Sequence, residues 1–295
     1  MTVTTEDFNT AFGRNALRMN EASRNTAVGH GALDANTTGA SNTALGQNTL
    51  GGCTTSPENT AVGRLALYTH QTGDGRNTAV GFQTLYSSTT GTNNTCVGMD
   101  AGYTLTTAHN NTFMGHNAGQ YLATGNGNTA IGKQAGQNFN GGNVNVAIGY
   151  ATGHQQTSGS SNTFLGSYAG PNGTGTGSNN TCLGYDATPS SNSVSNEVTI
   201  GDTSVTKFRI PGINVILKDN GGTPTNGHVL TVDSNGEAGF AAAAGAKEGV
   251  FYENSQTLSS NYTVTNGSNA MAAGPITIAS GVTVTVGSGE TLTIV

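Results

Sequence analysis

A five-residue unit, Asn-Thr-small-apolar-Gly, recurs along the first two thirds of the chain at a spacing that rarely departs from 17 residues. It occupies 9–13, 25–29, 42–46, 59–63, 77–81, 94–98, 111–115, 128–132, 145–149, 162–166 and 180–184, and it closes with a degenerate copy, Asn196-Glu197-Val198-Thr199-Ile200-Gly201. Successive repeat glycines lie 16, 17, 17, 18, 17, 17, 17, 17, 17, 18 and 17 residues apart. Such a period is too short for a helical hairpin and falls in the range of β-solenoid coils. Thr and the aliphatic residues suit a short strand, and the glycine permits a corner with positive φ. Clusters such as Thr157-Ser158-Gly159-Ser160-Ser161 read as the turns between strands. The sequence therefore predicts an all-β fold, an elongated parallel β-roll or β-solenoid with one coil per repeat over 9–201. At the usual ~4.8 Å between neighbouring strands, its intervals add up to a rod of about 50 Å.

Composition agrees with a fold of this kind and excludes others. Of 295 residues 45 are Gly, 9% are charged and 34% hydrophobic, with no Trp, a poor supply for one large globular core. Only six prolines exclude collagen, and a net charge of −6 is too small to keep the chain swollen by repulsion. What remains is a chain that satisfies itself through backbone hydrogen bonds and stacked small residues. The acidic balance, pI about 5.4, with no Lys/Arg cluster, argues against a nucleic-acid partner. No apolar run reaches the ~18 residues that a membrane span needs. The N-terminus has neither the basic nor the apolar region of a Sec signal. Cys53, Cys96 and Cys182 are odd in number and lack CxxC spacing, so they read as unpaired thiols of a chain made in a reducing cytoplasm.

Equivalent slots in successive repeats suggest what each position does. The slot before the repeat glycine is always apolar and is expected to point into the core: Phe12, Val28, Leu45, Val62, Val80, Val97, Met114, Ile131, Ile148, Leu165 and Leu183. The repeat asparagines Asn25, Asn42, Asn59, Asn77, Asn94, Asn111, Asn128, Asn145, Asn162 and Asn180 are expected to hydrogen-bond coil to coil as a ladder. The variable residue after the glycine, from Arg14 to Tyr185, reads as a solvent-facing stripe. Four residues after the glycine, Leu17, Leu33, Leu50, Leu67 and Leu85 give way to Gly102, Gly119, Gly136, Gly153 and Gly170. Losing a buried leucine removes about 1.5 to 3 kcal/mol of apolar burial, so the two halves of the rod are expected to pack differently.

Around the roll, 1–8 reads as a short arm, 202–212 as an extended neck and 213–248 as a small connector. The connector is expected to hold a hairpin around Asp233-Ser234-Asn235-Gly236 and a flexible link at Ala241-Ala242-Ala243-Ala244-Gly245. Over 249–295, alternation at Ile276 and Ile278, at Val282, Val284 and Val286, and at Leu292 and Ile294 predicts three short strands. A β module this small implies a partner chain.

Chemical motifs are sparse. Residues 127–134 nearly spell a P-loop but place Gln134 where Mg²⁺ needs a hydroxyl. The six histidines show no metal-binding spacing, although three copies of one His could meet on a trimer axis. No GxSxG elbow occurs, and the few carboxylates fall on different turns, with Asp100 and Asp186 in one slot five coils apart. No catalytic residue, metal or cofactor is expected. Cys96 and Cys182 take the slot usually filled by Ala and read as small buried hydrophobes. Tyr150, Tyr168 and Tyr185 form the most aromatic surface of the rod, suited to carbohydrate or protein contact or to plain turn decoration.

The Asn-Thr-Ala-Val-Gly repeats resemble the head repeats of trimeric autotransporter adhesins of the YadA type, over roughly residues 9–201. That resemblance implies a left-handed β-roll in a homotrimer, intertwined or side by side, although the period here is longer. The stretch from Val198 to Gly212 is similar to the neck that follows such repeats in tailed-phage fibres. Phe251-Tyr252-Glu253-Asn254, Tyr262-Thr263-Val264 and 269–278 resemble the C-terminal module of fibre-like proteins of marine phages. Together they imply a virion protein that is not an enzyme: a tail fibre mediating host attachment, or alternatively a capsid fibre or decoration protein. Its expected partners are its own copies, other tail or capsid proteins, and a host-surface glycan or outer-membrane protein, without nucleic acid or membrane insertion. A surface-glycan depolymerase is the alternative from another class. Because the chain stops at Val295, the self-cleaving domain that ends many phage fibres is not expected.

Overall fold

The computed structural model describes residues 8–210, 215–218, 228–232, 237–242, 246–247, 251–252, 257–264, 270–272 and 274–294, and among these no helix occurs. The chain divides into two units, 1–204 and 205–295.

The first unit is the expected solenoid. Each repeat forms one three-residue strand: β1 (Thr10–Phe12), β2 (Thr26–Val28), β3 (Thr43–Leu45), β4 (Thr60–Val62), β5 (Thr78–Val80), β6 (Thr95–Val97), β7 (Thr112–Met114), β8 (Thr129–Ile131), β9 (Val146–Ile148), β10 (Thr163–Leu165), β11 (Thr181–Leu183) and β12 (Val198–Ile200). They form a single 12-stranded sheet in sequence order. Neighbours pair in parallel and in repeat register, Thr26 opposite Thr43 and Val28 opposite Leu45. The corner needs glycine. Gly46 has φ +138°, and a Cβ there would lie 2.7 Å from the Gly63 carbonyl oxygen of the next coil. Any side chain at that corner would push the coils apart.

The slots behave as expected with one correction. The asparagine ladder forms throughout. The backbone N–H of Asn59 donates to Asn42 Oδ1 at 2.9 Å, and Asn59 Nδ2 donates to the same oxygen at 3.1 Å. Asn128 and Asn145 repeat this at 2.9 and 3.1 Å. In most repeats the Nδ2 also closes its own coil, as where Asn94 donates to the Ala108 carbonyl at 2.8 Å, whereas Asn59 Nδ2 turns back to the Pro57 carbonyl at 3.1 Å. The ladder asparagines from Asn25 to Asn180 are buried, so these bonds spare them the 1–3 kcal/mol cost of an unpaired buried polar group.

The slot before the glycine is not the core. Val28, Val62, Val80 and Val97 are half-buried, and Leu45, Met114, Ile131, Ile148, Leu165 and Leu183 are exposed, Leu45 to 46%. Alternation along an extended strand is the reason: in Thr-Ala-Val only the middle side chain points inward, and its two neighbours point out. The core column is therefore Ala27, Ala44, Ala61, Ala79, Cys96, Phe113, Ala130, Ala147, Phe164 and Cys182, all buried. The three cysteines are free thiols, and burial pushes Cys53 up to about 12 and Cys182 up to about 11.

The second unit holds a four-stranded sheet and a small coil stack. In the sheet, β13 (Lys207–Ile210) and β14 (Val215–Lys218) pair antiparallel, β14 runs parallel to β16 (Glu237–Ala242), and β15 (His228–Val232) pairs antiparallel with β16. The pairing of β15 with β16 is the expected hairpin, although residues 233–236 lie outside the described ones. Ala241 and Ala242 continue β16, where they pair with Val229 and His228, so that part of the expected link is strand. Two further strands, β17 (Ala246–Lys247) and β18 (Phe251–Tyr252), pair antiparallel. The three C-terminal strands also form, but not as one patch. Strands β19 (Thr257–Leu258), β20 (Tyr262–Thr263) and β21 (Ala270–Ala272) pair in parallel with β22 (Thr277–Ile278), β23 (Val284–Thr285) and β24 (Leu292–Ile294), respectively. The segment thus makes two coils of three strands each, stacked once.

Candidate functional site

Three aromatic side chains converge near the C-terminal end of the rod. Tyr150 and Tyr185 directly follow their repeat glycines, whereas Tyr168 sits two residues past Gly166, at φ 60°. Because their coils are consecutive, the rings meet although the slots differ. Tyr150 and Tyr168 have centroids 5.2 Å apart at 88°, and Tyr168 and Tyr185 6.2 Å apart at 86°. The His154 ring meets Tyr168 at 6.4 Å and 79°. His154 is oriented by its Nδ1 on the Ala151 carbonyl at 2.8 Å and by its Nε2 on Gln155 Nε2 at 2.9 Å. A hydrogen bond with Tyr150 raises the Tyr168 phenol above its ordinary range.

Beside these rings opens a cleft of about 330 Å³, lined by His154, Gln155, Tyr168, Pro171, Asn172, Tyr185 and Asp186 and more polar than apolar. The coil that builds one wall is a residue longer than the usual 17, and Pro171-Asn172 follow its Gly170. All three expected contact tyrosines are exposed, Tyr185 most of all at 65%. Lys133 Nζ lies 5.9 Å from the Tyr150 ring centre, outside the cleft lining.

A second aromatic column went unread in the sequence. Tyr68, Tyr86 and Tyr103 each lie five residues after a repeat glycine and stack at 5.6 and 5.2 Å with interplanar angles of 15° and 5°. Recurrence in one slot at intervals of 18 and 17 was the available signal. The same slot pairs Arg18 Nε with Asp34 at 2.6 Å and Gln137 Nε2 with Gln120 Oε1 at 2.8 Å. It is a column of matched neighbours, and its tyrosine faces are spent on one another.

Asp100 and Asp186 both stand two residues past their glycines, with φ 54° and 51°, and remain on separate coils. Burial raises the Asp100 carboxyl and nearby His116 opposes that shift. Among the described residues, no three His, Cys, Asp or Glu side chains gather as a metal site would require.

Compared with known protein families, with curated proteins and with solved structures, the chain matches none.

Proposed function

We propose that the chain is a structural fibre of a bacteriophage particle, a tail fibre that projects from the virion and touches the host surface as a homotrimer. The supporting observation is the exposed aliphatic stripe. Coil after coil satisfies its own hydrogen bonds yet leaves the slot before the repeat glycine exposed at Leu45 and from Met114 to Leu183, and only half-buried at Val62, Val80 and Val97. A regular apolar stripe along a whole rod is a surface in want of a partner. Sister copies offer the same stripe at the same coil spacing, and closed ring symmetry would cover every one of them. Covering the ten half-exposed side chains contributes on the order of 10 kcal/mol per chain before the costs of association. A rod that is self-bonded along its length and glued to its sisters by one face is a rigid spacer, which is what a fibre supplies.

Light scattering tests the assembly: three chains of 29.7 kDa give about 90 kDa. Replacing Ile131, Ile148 and Leu165 together by Ser should yield monomer that keeps its β-sheet circular dichroism. A wild-type monomer at micromolar concentration would overturn the trimer. Gold-labelled antibody on virions carrying this chain should decorate tail fibres. Label on the capsid would move the chain to the head, and cleavage of a host glycan by the purified protein would make it a depolymerase.

A further inference from the structure

We propose that the cleft between Tyr168, Tyr185 and Asp186 binds a neutral hexopyranose unit of a surface glycan. The proposal rests on the adhesive reading above and deepens it by naming a site and a ligand class. Two tyrosine columns in one rod make the contrast that carries it. Tyr68, Tyr86 and Tyr103 lie nearly parallel and half-buried, so each ring is covered by its neighbour. Tyr150, Tyr168 and Tyr185 stand nearly perpendicular to one another and exposed, which leaves aromatic surface facing water at the mouth of a cleft. Nothing in the coil requires this second arrangement, since the slot after the glycine also takes Ser167, Lys133 and Arg64.

The cleft has the two features that a sugar needs. A tyrosine offers an apolar ring on which the C–H face of a pyranose can lie, together with a polar tip. Around it, Asn172, Gln155 and Asp186 supply amide and carboxylate groups for hydroxyls. At about 330 Å³ the space is at the small end of ligand pockets, which fits one ring rather than a long oligosaccharide. The charge selects among sugars. Asp186 is the one acidic side chain in the lining, and no Lys or Arg lines the cleft, so an acidic sugar would meet a carboxyl group with no Lys or Arg beside it. Weak single-site binding suits a multimer, where several identical clefts act together.

The test is saturation-transfer NMR on the full chain with the methyl glycosides of glucose, galactose and mannose, and with methyl glucuronide as the acidic probe. At least one neutral glycoside should receive saturation from tyrosine protons. Tyr185→Ala should weaken that binding tenfold or more, while Tyr86→Ala in the other column leaves it unchanged. The glucuronide should bind at least fivefold more weakly than the best neutral sugar, and Asp186→Asn should narrow that gap. No saturation of any neutral glycoside, equal binding by Tyr185→Ala, or preference for the glucuronide would each overturn the site. A change of solution mass on Tyr185→Ala would also overturn it, by placing the ring in a subunit interface. Mass and virion labelling are read separately, so a trimeric fibre that ignores these sugars sinks only this inference, and a sugar-binding monomer sinks only the fibre.

Discussion

The coils before Gly98 and those after it build the same core from opposite slots. In the first set Leu33, Leu50, Leu67 and Leu85 are buried four residues past the glycine, and the slot three residues further holds Asn36, Cys53, His70 and Ser88. In the second set the first slot is Gly102, Gly119, Gly136 and Gly153, and the further slot holds Leu105, Leu122, Phe139 and Gln156. The exchange is complete within one step, from Leu85 and Ser88 to Gly102 and Leu105. The expected loss of volume is made good, because aromatic rings fill the space the leucines leave. A Cβ on Gly119 would lie 2.5 Å from Phe113, one on Gly136 2.6 Å from Phe139, and one on Gly153 2.8 Å from Phe164. What the coil stack conserves is filled space per coil, and which residue fills it is free to move. The first set carries a conformational cost that the second avoids, since its leucines sit at φ 50–53°. A left-handed residue other than glycine costs roughly 1–2 kcal/mol, which burial of a leucine offsets.

The largest effect should come from emptying the second set. Phe113→Ala removes a fully buried ring, at a cost of about 4 kcal/mol. Gly119→Leu alone should also destabilise, by about 2–3 kcal/mol, because its side chain meets the Phe113 ring. Combined, the two changes should cost less than their sum by at least about 1 kcal/mol, since the leucine enters the space the phenylalanine left. Hydrogen exchange on the neighbouring coils reads this locally, as befits a stack stabilised by nearest neighbours. Strict additivity would mean that the two slots do not share space, and the account of the exchange would fail.

The asparagine ladder should ignore the division. Asn42→Leu and Asn128→Leu each leave the next coil's buried N–H without its acceptor and take the amide donor from one carbonyl, of Ser56 or Gly142. Each should cost about 3 kcal/mol by the same exchange measurement. Costs differing by more than about 1 kcal/mol between the two coils would show that the sets differ in their backbone frame as well as in their filling.

Acid should distinguish the sets more mildly. His70 is buried in the first set, its Nε2 2.8 Å from Ser56 Oγ, and burial lowers its pKa from 6.5 to about 4. Protonation therefore favours the unfolded coil. The contribution of neutral His70 is whole above pH 6.5 and is lost as the pH falls from 6.5 towards 4, by roughly 2–3 kcal/mol. Exchange around β4 and β5 should accelerate over that interval, while coils around β7 and β8, with Leu122 and Phe139 in the same slot, should not follow. His70→Gln should remove the pH dependence.

Much of this architecture was legible because the positions that fix it are set by backbone. A corner that admits no Cβ and a ladder that needs a carboxamide leave the same letters in every coil, so Gly46 and Asn42 identify coil, register and ladder from sequence alone. The direction of the core was not legible. Hydropathy ranks Val28 above Ala27, whereas three-residue alternation turns Ala27 inward and Val28 out, and nothing in the letters states the phase. Tyr168 was readable as aromatic surface but not as the centre of a cleft, since it occupies a different slot from Tyr150 and Tyr185. In the C-terminal module the strands were visible as alternation, but their pairing was not. Thr257 lies opposite Thr277 and Tyr262 opposite Val284, at offsets of 20 and 22 with no repeated motif to announce them.

The smallest effect is the most direct test of why leucine gave way to glycine. At Leu50, φ is 51°, a conformation that alanine adopts with strain and glycine without it. Leu50→Ala and Leu50→Gly both lose the buried side chain, by about 2–4 kcal/mol. In an ordinary strand or helix glycine would then be the worse of the two by about 0.5–1 kcal/mol, through the freedom it gains when unfolded. Here relief of the left-handed strain works the other way by about 1 kcal/mol, so the glycine variant should equal or exceed the alanine variant in stability. Thermal melts of the two proteins, run under one set of conditions, decide it. Should alanine prove more stable by a full kcal/mol, the leucines are not strained, and the switch to glycine after Gly98 relieves nothing in the backbone.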